Sequence, residues 1–313
     1  MKKLLYVLLG VSLILLACTY LFIPDEIVIS ETEQVESSER IVAKYFKGED
    51  QILQWWPGEK KRTAPIEGLL RYGNNCYHFL NPKFNSLDIT IETENSELNS
   101  TVSWIPYSKN LIRLTWKASL YAGKNPVKRF LRFQQAREIK AEITHILKRY
   151  LTFIVNSRNV YGYDFKIQTV ADTVLATTKF ISAAYPENSR IYQEINKVKA
   201  YLDRQSVKAS KSPMLNISRD AQGQYETTLA LPVTKRFESS DNILMRRMVA
   251  GNILVAEVKG GPRTVSNGFS QMETFMKDYK LSSPAIYFES LITDRSLEAD
   301  TAKWITKIYY PIY

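Results

Sequence analysis

The sequence predicts an α+β protein made of an N-terminal transmembrane helix and two further domains. Three observations predict it: an apolar N-terminal run, a β-rich stretch that ends in one long amphipathic helix, and an internal repeat in the second half. The predicted limits are 1–23 for the membrane anchor, 24–158 for the first domain and 163–313 for the second. A chain of 313 residues has room for two such cores.

The anchor is predicted from residues 4–23, an almost unbroken apolar run. A helix of that length can cross a hydrocarbon core of ~30 Å. Lys2 and Lys3 precede the run, so the positive-inside rule places the N-terminus in the cytoplasm. The expected location is a bacterial inner membrane, with the domains facing the periplasm or exterior. A cleaved signal peptide, or a lipoprotein signal ending at Cys18, is the alternative.

The first domain is predicted from alternating and helical patterns. Residues 26–30 alternate as a strand does, and Ser38 precedes a predicted helix start. Several β-rich runs follow up to residue 120, and a long helix closes the domain. The apolar stripe of that helix recurs at intervals of three and four and consists of Phe133, Ala136, Ile139, Ile143, Ile146, Leu147, Tyr150 and Ile154. This order predicts a curved antiparallel sheet around one long helix, with room for a hollow between them.

The second domain is predicted from a repeat. A shift of 79 positions, from Pro232 to Pro311, places a predicted strand at 172–182 on another at 251–261. A helix and two further strands follow in both copies, which indicates a duplicated strand-helix-strand-strand unit. Two such units side by side leave a cleft at their seam, and seams of this kind are favoured ligand positions.

Composition and motifs exclude several kinds of chemistry. The net charge is +10, but the basic residues are spread along the chain and no nucleic-acid-binding motif is present. Cys76, His78 and His145 do not complete a zinc site and are interpreted as structural. No nucleotide-binding loop or nucleophilic triad is found. We therefore expect no metal, no cofactor and no nucleic-acid partner.

Short motifs in the second half carry a family resemblance. In chain order they are Ala250-Gly251 before a strand, Gly260-Gly261-Pro262, Phe288-Glu289, Asp294 and Tyr310-Pro311-Ile312. This series resembles the GyrI-like (effector-binding, AraC-type small-molecule-binding) domains. The resemblance covers about half of the chain. It implies an aromatic-walled cleft that binds lipophilic, often cationic molecules opposite a buried glutamate.

The resemblance also implies a set of ligand-binding residues. Glu289 stands at the glutamate position, where a carboxylate at low dielectric would attract a cation. The full set is Glu289, Tyr287, Trp304, Tyr309, Lys307, Arg263 and Phe269. Lys307 and Arg263 depart from the family pattern, which has a glutamate and an aromatic residue there. If both line the cleft, they disfavour cations and favour neutral or anionic ligands.

The first domain more loosely resembles the SRPBCC (START-like) helix-grip fold. The junction at residues 23–26, followed by a strand and a helix, carries this resemblance. It implies a second apolar cavity between sheet and helix. The predicted function is a membrane-tethered protein that binds a lipophilic or amphipathic small molecule. The alternative is a hydrolase or cyclase with Glu289 as general acid or base, so enzyme activity is left open with binding alone favoured.

Overall fold

The chain folds into two compact units, Met1–Asn156 and Ser157–Tyr313. Both are α+β units built on curled antiparallel sheets. The computed structural model describes residues 2–59, 69–94, 96–171, 173–248 and 250–313.

The prediction of a membrane anchor over residues 1–23 is wrong. Helix α1 spans Lys2–Phe22, but none of the helices in the described ranges is long and apolar enough to cross a bilayer. The predicted inner-membrane location and the predicted membrane partner depended on that anchor, so both are corrected with it. A single-pass span requires a helix of about 20 predominantly apolar residues, and no helix among the described residues meets both conditions, length and apolar character.

The first unit is a six-stranded antiparallel sheet with one long helix. The strands run in the spatial order β1-β6-β5-β4-β3-β2. The elements after α1 are β1 (Glu26–Glu36), α2 (Glu39–Lys44), α3 (Glu49–Leu53), β2 (Leu69–Tyr72), β3 (Asn75–Pro82), β4 (Ser86–Thr93), β5 (Ser96–Ser108), β6 (Leu111–Tyr121) and α4 (Pro126–Val155). Ser38 caps α2 by accepting a hydrogen bond from the backbone N–H of Ile41 at 3.3 Å, as its place in the sequence predicts.

Aromatic rings fill the interior of the first unit, where the sequence predicted a hollow. Phe46 stacks on Trp104 at 5.4 Å and on Tyr150 of α4 at 4.5 Å, measured between ring centroids. Trp55 packs edge-on against Tyr150 at 4.7 Å. All four side chains are buried, so the space between α4 and the sheet is a packed core at this level.

The second unit is an eight-stranded antiparallel sheet with two main helices. Its strand order is β11-β8-β10-β9-β13-β14-β12-β7. The elements are α5 (Ser157–Tyr161), β7 (Lys166–Val170), β8 (Thr173–Ser182), α6 (Asn188–Arg204), β9 (Met214–Arg219), β10 (Tyr225–Pro232), β11 (Leu244–Met248), β12 (Gly251–Lys259), α7 (Pro262–Asp278), β13 (Phe288–Leu291) and β14 (Ile305–Ile312). The unit β8-α6-β9-β10 thus recurs as β12-α7-β13-β14.

The two copies meet at a short seam between β9 and β13. Glu289 pairs with Leu215 and Ser290 pairs with Met214. Residues that are paired across a ladder share a face of the sheet. Leu215 packs in the core under α6, and Ile308, which pairs with Glu289 on the other side, packs under α7. Both helices therefore cover the same face, which we call the helix face, and the other side is the open face.

Candidate functional site

A cleft of about 320 Å³ opens on the helix face, beside the seam. Helix α7 forms one wall, strands β9 and β13 form the floor, and the loop before α6 closes the other side. The described lining residues are Tyr185, Leu215, Asn216, Ile217, Pro262, Val265, Ser266, Phe269, Ser270, Glu273, Tyr287, Glu289 and Arg295. A concave site with aromatic side chains and a few polar groups is the usual form of a small-molecule site.

Two glycines position the helix wall of the cleft. Gly260 has a φ of +136°, a backbone conformation that residues with a side chain rarely adopt, and it turns the chain from β12 into α7. Gly268 lies where α7 meets the sheet: an added Cβ would stand 2.8 Å from Ile308 and 3.1 Å from Val258. The absence of a side chain therefore lets α7 approach the sheet closely enough to form the wall.

An ion pair lies at the base of the cleft. Arg295 Nη2 donates to Glu289 Oε2 at 3.0 Å and to Thr306 Oγ1 at 2.8 Å. The side chains of Arg295 and Glu289 are 5% and 11% exposed, so the pair is largely withdrawn from water. A buried carboxylate requires a partner of this kind, because removing an unpaired charge from water is costly.

The loop after β13 holds Arg295 in place. The backbone N–H of Arg295 donates a hydrogen bond to the Tyr192 hydroxyl of α6 at 2.7 Å. Its guanidinium lies over the ring of Trp304, with 4.8 Å from the guanidinium carbon to the ring centroid. Asp294 closes the loop by accepting from the backbone N–H of Ser296 at 3.0 Å. The Arg295 Nε is buried and has no hydrogen-bond partner among the described residues.

Burial changes the acidity of the groups in this cleft. Burial raises the pKa of Glu289 above its ordinary value, and the charge and hydrogen bond of Arg295 oppose that rise. The pKa of Tyr185 is raised by burial first and by the Glu289 charge second. The site thus combines a carboxyl group that protonates more readily than usual with a tyrosine that ionises less readily.

The cleft brings together three of the seven residues predicted from the sequence. Glu289, Tyr287 and Phe269 all line it. The rings of Phe269 and Tyr287 are 4.6 Å apart, and Tyr287 also lies 5.4 Å from Tyr310. The backbone carbonyl of Tyr287 accepts from Asn216 Nδ2 at 2.8 Å, which ties this loop to β9.

The other four predicted residues lie outside the described lining. Trp304 is buried behind Arg295, and its Nε1 donates to the Glu298 carbonyl at 2.8 Å. Arg263 is exposed in the first turn of α7. Lys307 and Tyr309 alternate along β14 with the side chains that pack under α7, so they point to the open face. Tyr309 stacks there on Phe288 at 4.8 Å.

Sequence reasoning missed three titratable residues of the cleft: Arg295, Tyr185 and Glu273. A signal for Arg295 was available, because it directly follows Asp294 and a buried glutamate requires a nearby cation. Tyr185 comes from the loop before α6, and no pattern in that loop indicates its direction. Within the described ranges, no group of three or more potential metal ligands is assembled.

No family model matches the sequence, and no curated protein matches it either. Solved structures do match parts of it. The C-terminal domain of EcmrR is 15% identical, over 48% of this chain and 98% of that chain, with a TM-score of 0.42. SAV2435 bound to tetraphenylphosphonium is 15% identical, over 48% of this chain and 93% of that one, with a TM-score of 0.32.

A START superfamily protein from Mycobacterium smegmatis is also similar to part of the chain. It is 14% identical, over 40% of this chain and 97% of that one, with a TM-score of 0.30. With identities of 15% or less and TM-scores of 0.42 or less, these three neighbours establish no family for this chain.

Proposed function

We propose that the second unit binds a lipophilic small molecule in the cleft beside α7. The observation that carries the proposal is a buried ion pair, Glu289 with Arg295, at the base of a concave site walled by aromatic rings. The rings supply apolar area, and the polar groups at the base supply orientation. In the first unit, aromatic side chains fill the space between α4 and the sheet, so the proposal rests on the second unit alone.

The charges of the cleft favour a neutral ligand or one with a single positive charge. Arg295 already offsets the charge of Glu289, so the base of the cleft is close to neutral. Glu273, on the α7 wall, adds one acidic group, and it is exposed. Lys307 and Arg263, which the sequence suggested as cationic lining residues, lie outside the lining, so the argument for an anionic ligand loses its basis.

Calorimetric titration of the full chain with two probes of similar size tests the proposal. Tetraphenylphosphonium is a lipophilic cation, and triphenylphosphine oxide is its neutral counterpart. Tyr287→Ala removes one aromatic face and should weaken both probes about tenfold. Glu289→Gln leaves Arg295 unpaired in the cleft and should weaken the cation far more than the neutral probe.

Lys307→Gln is the matched control, because it removes a charge from the neighbouring strand but on the open face. It should leave both affinities unchanged. Saturable binding that Tyr287→Ala does not weaken, or the failure of both probes to bind, would contradict the proposal.

The rival proposal is a hydrolase or cyclase that uses Glu289 as general acid or base. The raised pKa of Glu289 favours it, since catalytic carboxyl groups are commonly tuned upward by burial. The engagement of its Oε2 by Arg295 counts against it. Turnover of a lipophilic ester that disappears in Glu289→Gln, with probe binding retained, would favour the enzyme.

The domain limits 24–158 and 163–313 stay predictions.

A further inference from the structure

The open face of the second sheet curls around a second, larger cavity of about 650 Å³. Strands that are far apart in the sheet order line it together: Leu175 comes from β8, near one end, and Ile253 comes from β12, near the other. The loop that carries Ile286 forms a further wall. The right-handed twist of a large antiparallel sheet brings its ends round in this way.

The floor of this cavity is apolar. Leu175, Met214 and Ala230 form a buried cluster, with Met248 and Phe288 packed against it. Methionine side chains are flexible and polarizable, so they adapt to ligands of different shapes.

The cavity and the cleft on the helix face share Leu215 and Asn216 of β9 in their linings. They open on opposite faces of the sheet, because successive residues of a strand point to opposite faces: Phe288 lines the cavity and Glu289 lines the cleft.

Two polar side chains at the cavity form hydrogen bonds with the protein backbone. Thr177 Oγ1 donates to the Leu244 carbonyl at 3.0 Å, and Asn216 Nδ2 donates to the Tyr287 carbonyl at 2.8 Å. Among the described lining residues none is acidic, and Arg247 is the single basic one. A molecule in this cavity would therefore meet apolar surface chiefly and would need no charge of its own.

We infer that this cavity is a second binding site, specific for neutral lipophilic small molecules. Its volume lies within the range of about 300–1,000 Å³ that is typical of small-molecule sites. Strands from both ends of the sheet line the cavity, so it can enclose a compact molecule. The flat face of a protein partner would fit it less well. The inference is independent of what the cleft on the helix face binds.

Fluorescence titration of the full chain with Nile red, a neutral lipophilic dye, tests the inference. Ala230→Phe fills the cavity from its floor, and Ile286→Glu places a charge at its rim. Ile286 is 64% exposed, so the second variant keeps the fold. Measured in a Tyr287→Ala background, which weakens binding in the cleft on the helix face, each should weaken the dye about tenfold or more, whereas Tyr287→Ala alone should still bind the dye saturably.

Ile181→Glu is the matched control, since Ile181 is 61% exposed on the same sheet and lies outside the described lining of both cavities. It should bind the dye as the unaltered chain does. The inference is overturned if the unaltered chain shows no saturable binding, or if Ile286→Glu binds equally well. It is also overturned if Ile286→Glu converts a dimer into a monomer in size-exclusion chromatography, because the face would then be covered by a second copy.

Discussion

Replacing Arg295 with methionine would leave the buried carboxylate of Glu289 without its cation. The methionine keeps most of the apolar length of the arginine, so the main change is the loss of charge and of two hydrogen bonds. Removing one partner of a buried ion pair typically costs about 3–5 kcal/mol of folding free energy. Because both side chains are nearly withdrawn from water, we expect a loss in this range at about pH 8.

The folding free energy lost in Arg295→Met should be larger at high pH than at low pH. The pKa of Glu289 is already raised by burial, and Arg295 supplies the two effects that lower it. Without the arginine the folded-state pKa rises further. A raised carboxyl pKa contributes stability that is fully present below the unfolded pKa and is lost as the pH rises through the folded pKa. Arg295→Met should therefore be much less destabilised at about pH 5 than at about pH 8.

Urea denaturation followed by fluorine NMR of fluorotryptophan-labelled protein measures this loss in the second unit. Trp304 is the single tryptophan of residues 157–313, and its ring lies against the Arg295 guanidinium. Adding Glu289→Gln to Arg295→Met should recover most of the lost stability, since no charge then stays buried. Lys179→Met, which breaks an exposed ion pair, should cost less than about 1 kcal/mol. Equal losses at both pH values would refute the reasoning.

Two further predictions concern packing and a buried hydrogen bond. Gly268→Val should lower the free energy of unfolding by about 1–3 kcal/mol in urea denaturation, because its Cβ would stand 2.8 Å from Ile308. Ser266→Val, on an exposed position of the same helix, should change it by less than about 0.5 kcal/mol, and equal effects would contradict the packing argument. Tyr150→Phe should cost about 1–3 kcal/mol, since the Tyr150 hydroxyl donates to the buried Val42 carbonyl at 2.7 Å, and an unchanged denaturation midpoint would contradict this.

The repeat was predictable from the sequence because it is carried by periodicity. Where one side is buried, apolar residues recur every two positions in a strand and every three to four positions in a helix. These periods persist even where the residue types change. The strand predicted at 251–261 is β12 at Gly251–Lys259. The long helix with its apolar stripe is α4, and every stripe residue from Ala136 to Ile154 is buried.

The membrane anchor was predicted from the same kind of pattern and was wrong. The apolar run over residues 4–23 predicted an apolar helix, and α1 is indeed a helix. Length and composition together decide whether a helix can span a bilayer, and the described residues do not reach that limit.

The site was only partly predictable, because it depends on strand register. A strand's side chains alternate between two faces, and the sequence does not say which residue of β14 lies beside Glu289. The register pairs Glu289 with Ile308, so Lys307 and Tyr309 point to the other face. Arg295 lies on an irregular loop, whose side-chain directions follow no period.

Successive side chains of β13 point to two sites of different polarity, one on each face of the sheet. Glu289 points to the cleft that holds the ion pair, whereas Phe288 points to the apolar cavity on the open face. A slip of one residue would exchange the two side chains and bury the carboxylate among apolar groups without its cation. Leu291, fixed in the core under α6, and the Glu289–Arg295 pair both oppose that slip. The ion pair therefore specifies the register of the seam as well as the polarity of the cleft.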